Sequence, residues 1–385
     1  MRKVFLLSTG MFALGFDAYV IAGLLPDIEK TFNISAAQAG QAVSVFTLCY
    51  ALAAPIFAAL LAGKPMRRIL VLALAIFSLG NGASALAPNF SMFLMARAMA
   101  GVGAGLYSPL AAAAAAFLVS KQKRGRALGM TLGGMSMGTA AGVPLGLMIA
   151  EHLDWHATLW SITALSFFVM TGIALFIPNF PSSTPPSLRQ RLAMMTDGQV
   201  AATVGITFLT SAASLGLYTY LAAILVDKPS ITPYLWAWGI GGVIGSLSIG
   251  TLIDLTGRPG LLMVGILASM ALAMFSLPFA LSIPVLAFLP FVLWGATGWA
   301  SQAPQQHTLL LLQPHHGAAA VALNSSANYL GSAIGSALGG GVILAGLAPS
   351  QLPFAAGCLV LVTMLGQIGI VSSKRIDRKE SRLCR

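Results

Sequence analysis

Apolar runs of about 20 residues alternate with short polar breaks along the whole chain, each long enough to cross roughly 30 Å of hydrocarbon as a helix. Hydropathy and helix breakers place twelve predicted spans near 4–26, 36–62, 67–87, 90–119, 127–150, 157–177, 200–226, 233–253, 260–281, 284–312, 317–346 and 352–373. The first run follows Arg2 and Lys3 as a signal peptide would. It is nevertheless long enough to span, contains Asp17 and lacks a small-residue cleavage site, so it reads as the first span. The longest polar stretch, 178–198, carries Pro181, Pro185 and Pro186 and divides six spans from six. The expected organisation is an N-terminal six-helix bundle over 1–177, a cytoplasmic linker over 178–198, a C-terminal bundle over 199–373 and a basic tail over 374–385.

The two halves echo each other. Gly134, Gly138, Gly142 and Gly146 in the fifth span are answered by Gly331, Gly335 and Gly339 in the eleventh, at an offset of 197. Leu24-Leu25-Pro26-Asp27 ends the first span, and Ile224-Leu225-Val226-Asp227 ends the seventh, 200 residues later. The loop Leu61 to Arg68 matches Leu252 to Arg258 at 191. The expected fold is an all-α membrane protein of twelve transmembrane helices in two pseudo-symmetric six-helix bundles, related about the membrane normal.

Composition narrows this further. Of 385 residues, 57% are hydrophobic and 8% charged, with a mean hydropathy of +0.86; a soluble domain carries about 25% charged residues. Twelve spans of about 22 residues leave about ten residues per connection, too few for an independent catalytic domain. The net charge of +11 could suggest nucleic acid, but its distribution carries topology instead. Arg2, Lys3, Lys64, Arg67, Arg68, Lys121, Lys123, Arg124, Arg126, Arg189, Arg191, Arg258 and six tail residues lie on one side. Lys30 and Lys228 lie on the other, and Arg97 falls inside a span. Both termini are therefore expected in the cytoplasm, with weak attraction to anionic lipid and no nucleic-acid partner. Three cysteines give no disulfide framework. No Walker motif occurs, and Gly101-x-Gly103-x-Gly105 lacks the strand a nucleotide fingerprint needs.

Charges inside hydrocarbon cost several kcal/mol and face a cavity or a partner. Asp17 and Arg97 lie about 13 and 12 Å from the lysine-poor face, at matching depth in spans 1 and 4. An Asp17 paired with Arg97 stays ionised, whereas an unpaired carboxylate in hydrocarbon takes up a proton. A proton moving down 100 mV supplies about 2.3 kcal/mol. Two other readings stand beside coupling: a static pair joining two helices, or no contact at all. Polar stripes at helical steps mark further cavity faces. They comprise Thr207, Ser211, Ser214 and Tyr218; Gly295, Trp299, Gln302 and Gln306, followed by His307; Arg97, Gly101, Ala104 and Ser108; and Asn324 with Asn328. With Tyr19 they describe an amphipathic, nearly uncharged cavity suited to neutral or singly charged organic solutes. Interhelical hydrogen bonding is the plainer reading of each residue alone. Glu151, His152, Asp154 and His156 read as an exposed loop, and His315-His316 as a solvated turn. The glycine ladders read as close helix packing and as a seam on which the halves rock, two readings that differ only in whether the seam moves, with Pro144 distorting its helix.

Several motifs carry a family resemblance. Gly134-x3-Gly138-x3-Gly142-Val143-Pro144-Leu145-Gly146 resembles the fifth-span antiporter motif. Arg97-x3-Gly101-Val102-Gly103-Ala104-Gly105 resembles the fourth-span motif, and Gly250-x-Leu252-x-Asp254-x2-Gly257-Arg258 the cytoplasmic gating motif in its C-terminal copy. Gly15-Phe16-Asp17-Ala18-Tyr19 through Pro26 resembles the first-span motif, although some relatives place the acid where this chain has Ala18. The N-terminal gating copy has Gly63 in place of Asp and Met66 in place of Gly, so it lacks the carboxylate such a lock would use. Over essentially its whole length the chain resembles the major facilitator superfamily. Within it, the chain is similar to the twelve-span drug/proton antiporter branch and the bacterial purine, sugar and drug efflux permeases.

That resemblance implies a secondary transporter in the bacterial inner membrane that exports drugs, nucleobases, nucleosides or sugars against protons. It implies no enzyme activity, no cofactor beyond the proton motive force, no metal and a monomer. Asp17 and Arg97 become the coupling pair, and Asp254 and Arg258 a cytoplasmic gate. A proton-independent facilitator or importer of sugars or nucleobases is the rival, and a lipid flippase a remoter one.

Overall fold

The computed structural model describes residues 1–60, 64–120, 124–180, 193–313 and 317–383. It is 87% helical, with no strand among the described residues. Span 1 is Arg2–Phe32, span 2 Gln41–Leu60 after a short turn of helix Ala36–Ala39, span 3 Met66–Ala85 and span 4 Phe90–Phe117. Span 5 runs Arg124–Met137, Gly138–Gly142 and Val143–His152, span 6 is Trp155–Phe176, and span 7 is Gly198–Thr219 followed by Leu221–Ile224. Span 8 is Thr232–Thr256, span 9 Pro259–Ala280, span 10 Phe288–Ala300 with Gln302–Leu312, span 11 Gly317–Leu344 and span 12 Leu352–Leu383. Among the described residues, eleven of these are long and apolar enough to cross a membrane.

The twelfth, span 10, is interrupted at Ser301. Pro304 explains the break: it has no N–H to give the Ala300 carbonyl, and its ring crowds that oxygen. A second interruption lies in span 5, where Gly138–Gly142 widens to a π-helix immediately before Pro144. The distortion expected from Pro144 is thus a bulge one turn upstream, where the proline withholds its donor. Span 1 continues past Pro26 by six residues and stops at Asn33, whose φ of 52° turns the chain left-handed and whose N–H caps the Glu29 carbonyl.

Packing groups the described residues into two compact units. The first takes those within Met1–Ser187, Tyr218–Trp236 and Ser336–Pro349; the second takes those within Leu188–Leu217, Ala237–Gly335 and Ser350–Arg385. The first unit therefore holds spans 1 to 6 with the end of span 7, the start of span 8 and the end of span 11. Inside it, Tyr220 Oη donates to the Ser336 carbonyl at 2.8 Å, and Ser336 Oγ donates to the Gly40 carbonyl at 3.1 Å.

The glycine ladders make close approaches to neighbouring helices. Gly134 lies against the Ser8 backbone, Gly138 against the Phe12 carbonyl, and Gly142 and Gly146 against the Phe16 side chain. Span 5 is therefore seated on span 1, within one compact unit. In the second unit, Gly331 lies against the Phe208 carbonyl and Gly335 against that of Ala212, seating span 11 on span 7. A Cβ at Gly138 would fall onto the Phe12 carbonyl, so only glycine permits this approach. The closeness belongs to helix pairs inside each unit because glycines four apart face a single neighbouring helix.

These contacts also register the internal repeat. Ser8 and Phe12 correspond to Phe208 and Ala212, an offset of 200 for spans 1 and 7. Gly101 meets the Phe46 carbonyl as Gly295 meets that of Trp238, an offset of 194 for spans 4 and 10. Substituting Gly138→Leu should part spans 1 and 5 and lower the Tm of the purified protein by about 5 °C or more. Gly250→Ala, whose Cβ would meet nothing within 4 Å, should change it by less than about 1 °C. Thermal melts in detergent compare the two.

Candidate functional site

Two close approaches build the site around span 4. Gly101 lets the backbone of span 2 come against it at Phe46, and Gly80 lets span 3 come against Ala100. One helical turn before Gly101 stands Arg97, so these approaches bring Phe46 and Asn81 to its guanidinium. From span 1, Asp17 completes the cluster. Asp17 and Asn81 are 0% exposed and Arg97 1%.

Arg97 Nη1 donates to Asp17 Oδ1 at 2.7 Å, a short charge-assisted bond. The same nitrogen donates to Asn81 Oδ1 at 3.2 Å, and Asn81 Nδ2 donates to Asp17 Oδ2 at 3.4 Å and to the Phe77 carbonyl at 3.1 Å. The Phe46 ring lies 4.5 Å from Arg97 Cζ, in cation–π range. Arg97 Nε has no hydrogen-bond partner. The matching depths read from the sequence therefore do bring acid and base together, which removes the no-contact reading. Among the described residues, the other salt bridge joins His156 to Asp154 at 3.6 Å, where Asp154 also caps span 6 through the Ala157 N–H.

The repeat shows what the fold itself demands at these positions. By the offsets of 200 and 194, Asp17 corresponds to Leu217 and Arg97 to Phe291, which are 4% and 0% exposed. A leucine and a phenylalanine fill the equivalent place in the second half. The equivalent positions in the second half thus carry no charge, and spans 7 and 10 are joined there by a neutral hydrogen bond between Trp294 and Ser214.

The remaining expected site residues divide between the units. Tyr19 is half-buried, and its ring meets Tyr218 edge-on at 5.5 Å in the first unit. Ser108 is half-buried on span 4. In the second unit, Ser214 accepts from Trp294 Nε1 at 2.8 Å, and Gln302 Nε2 donates to Asn328 Oδ1 at 2.9 Å. Trp299 lies 6.4 Å from Trp238, ring to ring. Asn324 is fully buried with neither side-chain polar atom partnered. Gln306 is half-buried, and its neighbour Gln305 is 2% exposed. Asn81, Phe46 and Gln305 were not read from the sequence. A lone amide set between Gly80 and Gly82 in an apolar span was the available signal for Asn81.

At the gating positions, Gly250, Asp254 and Arg258 are exposed, and the described ion pairs include neither Asp254 nor Arg258. Gly257, at φ 59°, ends span 8 by donating its N–H to the Ile253 carbonyl at 2.8 Å. Gly63 lies outside the described residues. Met66 is buried, and its N–H donates to the Phe180 carbonyl at 2.9 Å. Among the described residues no three His, Cys, Asp or Glu side chains are grouped to hold a metal ion.

Comparison with known proteins agrees with this architecture. The sequence profile of the Major Facilitator Superfamily matches residues 7–336. The uncharacterized MFS-type transporter YbcL of Bacillus subtilis is 30% identical over 378 residues, covering 97% of this chain and 96% of that protein. The inner membrane transport protein YdhP of Escherichia coli K12 is 28% identical, covering 90% of each. A probable sugar efflux transporter of Helicobacter pylori P12 is 24% identical, covering 94% of each. The crystal structure of a D-xylose–proton symporter shares the fold at a TM-score of 0.78 and 17% identity, covering 94% of this chain and 96% of that one. A chain of twelve apolar spans that matches the family profile over most of its length, and such relatives from end to end, belongs to the major facilitator superfamily of membrane transporters.

Proposed function

We propose that this transporter is a proton-coupled exporter of small organic molecules that works by alternating access, with Asp17 as its proton site and Arg97 as the partner. The carrying observation is the fully buried Asp17–Arg97 pair at 2.7 Å, set where the repeat places Leu217 and Phe291. Burying two charges costs several kcal/mol each, and apolar replacement of such a pair is often neutral or stabilising. A chain that joins the equivalent helices with neutral groups in one half and ions in the other is using the ions for something besides packing.

The neutral donors and acceptors on spans 7, 10 and 11 support uncharged or singly charged solutes such as a drug, a sugar or a nucleoside; polyanions favour clustered arginine and lysine. The outward direction is supported by the relative named as a probable sugar efflux transporter. The side bias of lysine and arginine supports cytoplasmic termini, and the relative named as an inner membrane transport protein of Escherichia coli supports a bacterial inner-membrane location. In this reading the protein acts as a monomer with no cofactor, driven by the proton motive force, and Asp254 and Arg258 serve as a cytoplasmic gate.

The test is reconstitution in proteoliposomes with an imposed pH gradient, using a panel of chloramphenicol, sugars and nucleosides. Wild-type protein should export at least one of them, and Asp17→Asn should lower gradient-driven export about a hundredfold while sparing exchange at equal pH. Undiminished gradient-driven export by Asp17→Asn would reject the coupling role, and downhill movement indifferent to pH would favour a facilitator. For the exported compound, Gln302→Ala should raise the half-saturating concentration about tenfold with the maximal rate within about twofold. Initial rates against concentration read this directly.

A further inference from the structure

An ion pair that works as a switch has to open, and opening it strands a guanidinium that is 1% exposed. That is prohibitive in hydrocarbon unless neutral groups take over its hydrogen bonds. Asn81 already stands in that place. Its Oδ1 accepts from Arg97 Nη1 at 3.2 Å while its Nδ2 donates to the Phe77 carbonyl at 3.1 Å. The second bond runs to a carbonyl four residues back in the same helix and fixes the amide with its oxygen toward Arg97. The Phe46 ring, 4.5 Å from Cζ, is a second uncharged support.

We propose that Asn81 is a positioning residue that retains the Arg97 guanidinium when Asp17 takes a proton. The inference rests on Asp17 being the proton site and deepens it by naming what makes the protonated state tolerable. In the step itself, a proton from water adds to a carboxylate oxygen of Asp17 and gives the neutral acid. Arg97 keeps its charge, and its Nη1 exchanges the Asp17 bond for undivided donation to Asn81 Oδ1. Release of the proton reverses both changes. Asn81 Nδ2, now donating to Asp17 Oδ2 at 3.4 Å, keeps the acid beside the seat throughout.

Acidification acts on few groups here. Among the described residues, the titratable side chains set against these helices are Arg97 and Tyr107 from span 4, Tyr50 and Cys49 from span 2, and Tyr19 of span 1 itself with Tyr218 from span 7 against it. Span 3 presents the amide, and span 5 presents glycines to this stretch of span 1. Phenols, a thiol and a guanidinium do not change charge between neutral and mildly acidic pH, which leaves Asp17 as the group that does. Asn81 should therefore matter most at low pH.

Thermal melts of the purified full-length chain in lipid nanodiscs, taken between about pH 8 and about pH 5, test this without a substrate. The Tm deficit of Asn81→Leu against wild type should grow by about 5 °C or more as the pH falls. In an Asp17→Asn background the larger deficit should be present at every pH, and adding Arg97→Leu should remove it. A deficit that is flat with pH and equal in both backgrounds would mean that Asn81 merely packs, and would overturn the proposal. Should Asn81→Leu yield no folded protein, Asp17→Asn/Asn81→Asp replaces it. Recovery of the Tm lost in Asp17→Asn supports the seat at Arg97, and no recovery overturns it. The transport assay separates the two readings. Undiminished gradient-driven export by Asp17→Asn defeats both, whereas loss of export together with a flat Asn81→Leu profile defeats this one alone.

Discussion

Charge removed from water has to be answered by something, and this requirement organises the first compact unit. Asp17 and Arg97 have surrendered their hydration, a cost of several kcal/mol per ion that mutual attraction offsets only with good geometry and further hydrogen bonds. Four helices contribute to the answer: the acid from span 1, the base from span 4, an amide from span 3 and an aromatic face from span 2. Remove any one and another group is left without its counterpart. Such a cluster is costly as architecture, and its uncharged counterpart at Leu217 and Phe291 shows that the architecture does not need it.

Helices can deliver four side chains to one point only if their backbones come close, and lipid offers no hydrophobic drive to bring them together. Glycine supplies the closeness by removing the atoms that would hold the backbones apart. Gly101 and Gly80 do this on the two sides of span 4, while Gly134, Gly138, Gly142 and Gly146 seat span 5 on the helix that carries Asp17. The small residues and the charged residues are thus two parts of one design. The first sets the distances, and the second uses them.

Much of this was legible in the residues before any coordinates. Length and hydropathy located the spans, because crossing hydrocarbon imposes a minimum run of apolar side chains. Equal depth in two helices was enough to pair Asp17 with Arg97, since a lone charge in lipid has few places to go. What resisted reading was local or relational. Gln305 is buried beside the half-buried Gln306, and it lay outside the stripe of three- and four-residue steps that marked span 10. Asn81 stood outside every periodic pattern, and a single amide gains meaning only from neighbours on other helices. The glycine ladders were recognised as close-packing surfaces, yet which helix they face is set by three-dimensional arrangement and not by spacing.

The link from Tyr220 through Ser336 to Gly40 has its own consequence. Both hydroxyls end on main-chain oxygens, so the fastening depends on no ionisable acceptor and is indifferent to salt. It can neither sense acidity nor be loosened by it.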